Sequence, residues 1–150
     1  MPADATSPDL EVLGREHCAR LLEDHHFGRL AFWSGDLPLI LPVNYVFDMQ
    51  SIVIRTGPGA KLEQTPLRMV AFEVDDADHD GQWGWSVVAQ GPAFDITDSI
   101  DEYSELLRAL PVEPWAPGAR QHWLKVTAAR LSGRRFKGGP KVPPDRAEGP

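Results

Sequence analysis

Hydrophobic and polar residues alternate along most of the chain, with the two-residue period of half-buried β-strands. Glycine, proline and aspartate interrupt the alternation at intervals typical of short turns. The pattern predicts six strands. The predicted strands are Phe27–Trp33, Pro38–Phe47, Ile52 to the turn at Gly57, Met69–Asp75, Trp83–Ile96 and His122–Leu131.

Two stretches instead repeat hydrophobic residues every three or four positions, which is the spacing of an amphipathic helix. The first is Glu16–Asp24, before the strands, and the second is Asp98–Leu110, before the last strand. Thr97 or Asp98 can cap the second helix, and Pro111 ends it. We therefore expect two amphipathic helices in a mainly β structure, the first of which lies over the strands.

The second predicted strand is apolar on both faces. One face carries Leu39, Leu41, Val43 and Tyr45, and the other carries Ile40, Asn44 and Val46. This pattern is typical of a barrel strand with core on one side and a partner or ligand on the other. Pro42 cannot donate to a ladder, so it marks an edge or a bulge. A kinked edge strand with a solvated Asn44 is the alternative interpretation.

The third strand leads into a candidate anion site. Its β-branched residues meet a Gly-Pro-Gly turn at residues 57–59, and a short helix is predicted to start near Ala60. Free amides at a helix start, with Arg55, Thr56 and Lys61 nearby, can bind a phosphate or carboxylate. The spacing is not that of a P-loop. A surface turn with two solvated cations is the alternative.

Composition limits the remaining possibilities. The 150 residues suit one domain, and we expect a flexible lead-in over residues 1–12, a folded domain over 13–136 and a disordered tail over 137–150. The net charge of −7 argues against nucleic-acid or anionic-membrane partners. No apolar run approaches the ~20 residues of a membrane span, and no signal peptide is evident, so we expect a cytoplasmic protein.

The single cysteine and the carboxylate-rich segment do not indicate a metal site or a disulfide. Cys18 is alone, so one chain can form neither a disulfide nor a cysteine-based metal site. The carboxylate-rich segment Asp75–Asp80 lacks the ligand spacing of a calcium loop and fits a solvated hairpin tip. We expect no metal site.

Five segments, in this order and with short connections, resemble the pyridoxamine 5'-phosphate oxidase-like family of flavin-binding split barrels. The resemblance runs from about Leu13 to Arg135, and its segments are Gly28–Phe32, Pro42–Tyr45, Ile54–Leu62, Val70–Asp76 and Gly84–Gly91. It implies a six-stranded antiparallel split barrel with a few helices. It also implies a homodimer with two FMN sites at the subunit boundary.

The resemblance assigns cofactor contacts to three groups of residues. Pro42, Val43, Asn44 and Tyr45 would lie beside the flavin ring; Arg55, Thr56, Ala60, Lys61 and Leu62 would surround the phosphate; and Trp85 and Ser86 would close the site of the neighbouring subunit. Core packing is an equally good interpretation of Trp85. Trp115 lies in a rigid Pro-rich turn, and its contact with the ring is open.

The implied function is transfer of hydride or electrons through FMN to a small-molecule substrate, with NADH or NADPH as the donor. A flavin reductase or nitroreductase-like activity fits better than true pyridoxamine phosphate oxidation, because the chain lacks the long C-terminal segment with its substrate-binding Arg and His. Arg134 and Arg135 are the late arginine pair that could act similarly. We assign no catalytic residue. Alternatives are an F420- or haem-binding member of the fold, or a flavin-storage protein without turnover.

Overall fold

The structure, a computed structural model, describes residues 10–56, 68–78, 80, 83–113 and 122–137. Within these ranges it contains eight strands and two helices. In chain order they are β1 Leu10–Leu13, α1 Arg15–Asp24, β2 Phe27–Ser34, β3 Leu37–Asp48, β4 Ser51–Thr56, β5 Met69–Ala77, β6 Trp83–Asp95, α2 Glu102–Arg108, β7 His122–Thr127 and β8 Arg130–Lys137.

Six of the strands close into an antiparallel barrel, as the sequence predicted. The strand order is β1-β8-β6-β5-β2-β3-β4-β7, and β7 also pairs with β6, so the ring closes through β6, β5, β2, β3, β4 and β7. β8 pairs with the first part of β6, and β1 continues the sheet beyond β8. The mainly β split-barrel prediction is therefore confirmed.

The prediction of one last strand over His122–Leu131 is wrong. The strand ends at Thr127, and a second strand begins at Arg130. β7 pairs with the end of β6, and β8 returns to pair with its beginning. Gly91 lies at the crossing, where a Cβ atom would overlap the carbonyl oxygen of Thr127. Only glycine fits so close an approach of two backbones without displacing one of them.

Two terminal predictions also change. Leu10–Leu13 forms β1 and pairs with β8, so the last residues of the predicted lead-in are a strand. At the other end β8 includes Lys137, the first residue of the predicted tail. The rest of that tail, residues 1–9 and the Trp115 turn lie outside the described ranges.

The interior of the barrel is a single apolar core. Strand alternation points every second residue inward, and α1 adds the buried side chains of Cys18 and Leu22. Burying a leucine of this kind contributes about 1.5–3 kcal/mol. The largest fully buried barrel side chains include Leu30, Tyr45, Ile52, Ile54, Phe72, Val74, Val87 and Val126.

A second, smaller cluster lies outside the barrel wall. α2 packs Leu107 against Val53 of β4, together with Ile96 and Val112. The helix is shorter than the predicted 98–110 and starts at Glu102, because the Asp101 side chain accepts a hydrogen bond from the Ser104 amide at 2.9 Å. α2 thus covers the outer surface of β4 and of the strand ends beside it.

Candidate functional site

Arg55 lies at the edge of the region that α2 covers. It occupies the outer face of β4, directly across from Trp123 of β7. It follows Ile54, whose partner Tyr45 is the last residue of β3 in the ladder with β4. Its Nη1 donates to the carbonyl oxygen of Val112 at 3.0 Å, and its guanidinium carbon lies 4.8 Å from the Trp123 ring centroid. The side chain is therefore held in place from two sides.

Two buried polar atoms at the end of β4 have no hydrogen-bond partner in the described part of the chain. They are Arg55 Nε and the hydroxyl oxygen of Thr56, a residue that is only 8% exposed. A buried donor left unpaired costs roughly 1–3 kcal/mol, so such atoms usually serve a ligand or a neighbouring group. At the end of the strand, different oxygens of one anionic group could accept hydrogen bonds from Arg55 on the outer face and from Thr56 on the inner face.

The residues predicted beside the flavin ring occupy both faces of β3. Pro42 and Asn44 are on the outer face, where they pair with Arg29 and Phe27 of β2, respectively. Val43 is half-buried and packs against the barrel core. Asn44 and Arg55 are thus each one residue from the terminal Tyr45–Ile54 ladder pair, and Pro42 lies two residues from Asn44 along the same face of β3.

Tyr45 and Trp85 lie inside the barrel. The Tyr45 hydroxyl donates to the carbonyl oxygen of Leu22 at 2.7 Å, and burial raises the pKa of the Tyr45 phenol well above its usual range. Trp85 is buried, with its ring edge-on to His25 at 4.8 Å between centroids. The core role is the one that the structure shows for both side chains, and their cofactor contacts stay predictions.

The remaining predicted residues divide into two groups. Ser86 is half-buried on the outer face of β6, opposite Asp75 of β5 and Arg134 of β8. Ala60, Lys61 and Leu62, with the helix start predicted there, lie outside the residues that the structure describes.

One polar cluster near Arg55 and Thr56 was not predicted. The Asp95 carboxylate accepts hydrogen bonds from the Thr97 hydroxyl at 2.6 Å and the Thr97 amide at 2.9 Å, and it lies 3.7 Å from His122 Nδ1. Burial alone would raise the pKa of Asp95, but the bonds from Thr97 and the proximity of His122 outweigh it and lower that pKa. No sequence motif signals this cluster, because it depends on the register between β6 and β7.

A second unpredicted cluster lies on the outer face of β2 and β5. Arg29 Nε donates to Glu73 at 2.8 Å, and the same guanidinium donates to Asp75. Burial raises the pKa of Glu73; the Asp75 charge acts in the same direction, whereas Arg29 opposes it. Two carboxylates therefore share one arginine on a strand face.

The part of the chain that the structure describes contains neither a group of metal ligands nor an apolar helix of membrane-spanning length. No three histidine, cysteine, aspartate or glutamate side chains there are grouped as metal ligands would be. No helix there combines the length and apolar character needed to cross a bilayer.

Comparison with known proteins identifies the family. A family model described as pyridoxamine 5'-phosphate oxidase matches residues 14–135, and the chain belongs to that family. The uncharacterized protein Rv0080 of Mycobacterium tuberculosis is 30% identical over 139 residues, which cover 87% of this chain and 88% of that protein.

Two solved structures with the same fold are each 29% identical in sequence to this chain. A Mycobacterium smegmatis protein described as FAD binding is 29% identical, with a TM-score of 0.70 over 85% of this chain and 98% of that one. A Corynebacterium diphtheriae protein of unknown function, DIP1874, is also 29% identical, with a TM-score of 0.71 and the same coverage of both chains, 85% and 98%.

Proposed function

We propose that this chain is a flavin-binding oxidoreductase that holds FMN at the boundary of a homodimer and passes hydride or electrons to a small-molecule acceptor. Membership of the pyridoxamine 5'-phosphate oxidase family supports the proposal, as does the similarity to the M. smegmatis FAD-binding protein. The observation that carries it is the pair of unpartnered buried polar atoms on Arg55 and Thr56.

These two residues fit the phosphate end of a flavin nucleotide. A phosphate monoester carries about −1.5 to −2 charges at neutral pH, and arginine is always protonated. Arg55 would supply charge and its Nε–H bond, while the Thr56 hydroxyl would supply a directional bond. Lys61, beyond the described ranges, is proposed as a second cation. Losing one such buried partner should weaken binding by roughly 2–5 kcal/mol.

The ring end would lie on the outer face of β3. Asn44 and Arg55 are each one residue from the terminal Tyr45–Ile54 ladder pair, and Pro42 is the next outward residue of β3. Because Pro42 has no N–H and Asn44 carries both a donor and an acceptor, this edge offers an apolar contact beside a polar one. We assign Pro42 and Asn44 to the ring, together with the backbone of Val43 between them.

The homodimer is proposed from the open outer surface of β2, β3 and β5. Trp33, Ile40 and Met69 are 52%, 62% and 64% exposed there, on neighbouring strands of one sheet. Contiguous apolar surface of this kind is typical of protein interfaces. A second copy covering this surface would also enclose a ring bound near Pro42.

Once bound, the flavin supplies the redox chemistry, since it can accept and return a hydride or electrons. The chain's own residues bind the phosphate, orient the ring and exclude water from one of its faces. We assign no general acid or base. The proposed donor is NADH or NADPH, and the activity is reductase or nitroreductase-like.

The decisive experiment compares the purified chain with the double variant Arg55→Ala, Lys61→Ala. We expect the unmodified protein to show flavin absorbance, with FMN released on heating and identified by mass. The double variant should keep its circular dichroism spectrum but lose at least about 100-fold in flavin affinity. A matched control removes two other cations, Lys125→Ala and Arg130→Ala, and should retain the cofactor.

Other outcomes contradict specific parts of the proposal. Undiminished flavin in the folded Arg55, Lys61 double variant would rule out the site. A Soret band would indicate haem, and blue fluorescence would indicate F420. A flavin that stays oxidised during rapid mixing with NADH and with NADPH would favour storage over catalysis.

A further inference from the structure

A groove opens on the outer surface of the barrel where β2 and β5 stop pairing. Their ladder ends at the Ala31–Ala71 pair, whereas β2 stays paired with β3 as far as Ser34, and β5 stays paired with β6 as far as Met69. The two strands therefore separate beyond the alanine pair. The groove has a volume of about 360 Å³, and the residues that line it are Ala31, Phe32, Trp33, Pro38, Met69, Val70, Ala71 and Gln90.

Small side chains form the closed end of the groove, and larger ones form its walls. Ala31 and Ala71 are direct cross-strand partners, so their methyl groups lie side by side and leave a flat floor. Trp33 and Met69 are the next outward residues of the two strands, and they are 52% and 64% exposed. Pro38 is the partner of Trp33 and extends that wall. A flat floor between an indole and a thioether suits a planar ring, which both groups contact favourably.

The charge of the lining favours an uncharged ligand. None of the described residues that line the groove is ionisable. Charged residues lie only beyond its borders, where Arg29 and Glu73 bind each other and Arg130 lies across from Gln90 on β8. A charged group that entered the groove would lose water without gaining a partner of opposite charge, which is unfavourable.

Gln90 adds a polar group at one end of the floor. It lies on β6 directly across from Ala71, and its side-chain amide carries both donors and an acceptor. It can therefore bind a hydroxyl or carbonyl oxygen of a molecule that covers the alanines. An apolar side chain from a second copy of the chain, inserted in the same place, would remove water from this amide without replacing its hydrogen bonds. The groove thus suits a small molecule with one polar end better than an inserted apolar side chain.

We propose that the groove binds an uncharged, planar aromatic molecule of about two fused rings that carries one hydroxyl or carbonyl group. Small-molecule sites commonly measure roughly 300–1,000 Å³, so a groove of about 360 Å³ fits a small ligand. The binding site is formed by this chain and does not depend on a flavin. With a flavin ring at Pro42, which pairs with Arg29, the ligand would lie about 7 Å further along β2 as the substrate. That role rests on the proposed function, whereas the binding site does not.

The test titrates the full-length chain with 2-naphthol at pH 7 and follows the methionine methyl groups by NMR. Met69 lines the groove, whereas Met49 is 80% exposed at the turn between β3 and β4 and is the internal control. We expect the ring current of bound 2-naphthol to shift the Met69 signal and to leave the Met49 signal unchanged. Ala71→Leu fills the floor and should weaken binding at least about tenfold. Ser132→Leu adds a similar side chain on the exposed face of β8, outside the groove, and should not weaken it.

Two related compounds test the assigned chemistry. Naphthalene lacks the hydroxyl group, so the ratio of its dissociation constant to that of 2-naphthol should fall about fivefold in Gln90→Leu relative to wild type. 2-Naphthoate has the same rings but a negative charge, and wild type should bind it at least about tenfold more weakly than 2-naphthol. An unchanged ratio in Gln90→Leu, or equal binding of 2-naphthoate and 2-naphthol, would overturn the assigned ligand class.

Failure of the aromatic site can be distinguished from failure of the proposed function. Equal shifts of Met49 and Met69, or undiminished binding by folded Ala71→Leu, would overturn the site and leave the flavin proposal standing. Dissociation of the homodimer by 2-naphthol in sedimentation would show that a second copy fills the groove, and would also overturn it. If wild type binds 2-naphthol as expected but not FMN, the proposed function fails and the aromatic site stands. Thermal unfolding shows whether each variant is folded, and the wild-type methionine shifts decide the case if Ala71→Leu is not.

Discussion

The outer surface of the barrel has two halves that differ in whether their apolar side chains are buried by the chain itself. Over β4 and the adjoining ends of β3, β6 and β7, α2 and the segment after it bury Val53, Ile96 and Val112 within the chain. Over β2, β5 and the beginning of β3, apolar side chains such as Trp33 and Ile40 remain exposed. In the first half, the chain buries its own apolar side chains. In the second half, the exposed apolar side chains form a surface that a partner could cover. The candidate phosphate site lies where the two halves meet.

The largest effect should come from opening the covered half. Leu107→Ala removes a side chain that is 1% exposed beneath α2, and we expect the free energy of unfolding to fall by about 2–5 kcal/mol. Leu106→Ala is the matched control, because Leu106 is the next residue of the helix and is 61% exposed. That variant should change stability by no more than about 0.5 kcal/mol. Urea unfolding curves with equal losses would show that α2 is not packed as described.

Changes in the open half should affect association more than folding. Trp33→Ala should raise the dimer dissociation constant about thirtyfold or more, as removal of a central interface tryptophan commonly does, while the circular dichroism spectrum stays unchanged. The matched control is Trp83→Ala, since Trp83 is another partly exposed tryptophan but lies at the start of β6, away from the Ile40 surface. Sedimentation at several concentrations measures both. A monomeric wild type would remove the basis for the homodimer.

The sequence predicted where most elements of both halves lie, but not the features that depend on contacts between distant parts of the chain. Alternation is a local property, so the six barrel strands and α1 could be located from it. The division of the last predicted strand into β7 and β8 could not, because it depends on the contact between Gly91 and Thr127, which are distant in the chain. In the same way, the pairing of Asp95 with His122 follows from strand register rather than from any motif.

The sequence also did not show which face of β3 points into the barrel. β3 is apolar on both sides, so alternation groups Tyr45 with Leu41 and Val43 but does not say which side is the core. The structure turns Tyr45 inward and leaves Pro42 and Asn44 outward. In contrast, the Gly-Pro-Gly turn and Arg55 before it could be recognised in the sequence as a candidate anion site, because such a site needs particular residue types close together in the chain.

The two halves also differ in how a carboxylate depends on pH, which gives the smallest predicted effect. In the covered half, the hydrogen bond from Ser104 lowers the pKa of Asp101. In the open half, burial, together with the Asp75 charge, raises the pKa of Glu73. A carboxylate with a lowered folded-state pKa stabilises the fold above its ordinary titration range, and this stabilisation is lost as pH falls. A raised folded-state pKa acts oppositely, since stability declines as pH rises through that range.

Asp101→Ala and Glu73→Gln should therefore shift the melting temperature with opposite signs. Relative to wild type, Asp101→Ala should melt lower at pH 7, and the deficit should shrink as pH falls below about 4, where the aspartate becomes protonated. Glu73→Gln should gain relative to wild type as pH rises above the ordinary glutamate range, because the half-buried charge beside Asp75 is no longer formed. Glu105→Gln, on the exposed face of α2, is the control and should follow wild type. If all three variants shifted in parallel with pH, the carboxylates of the two halves would not differ as the structure indicates.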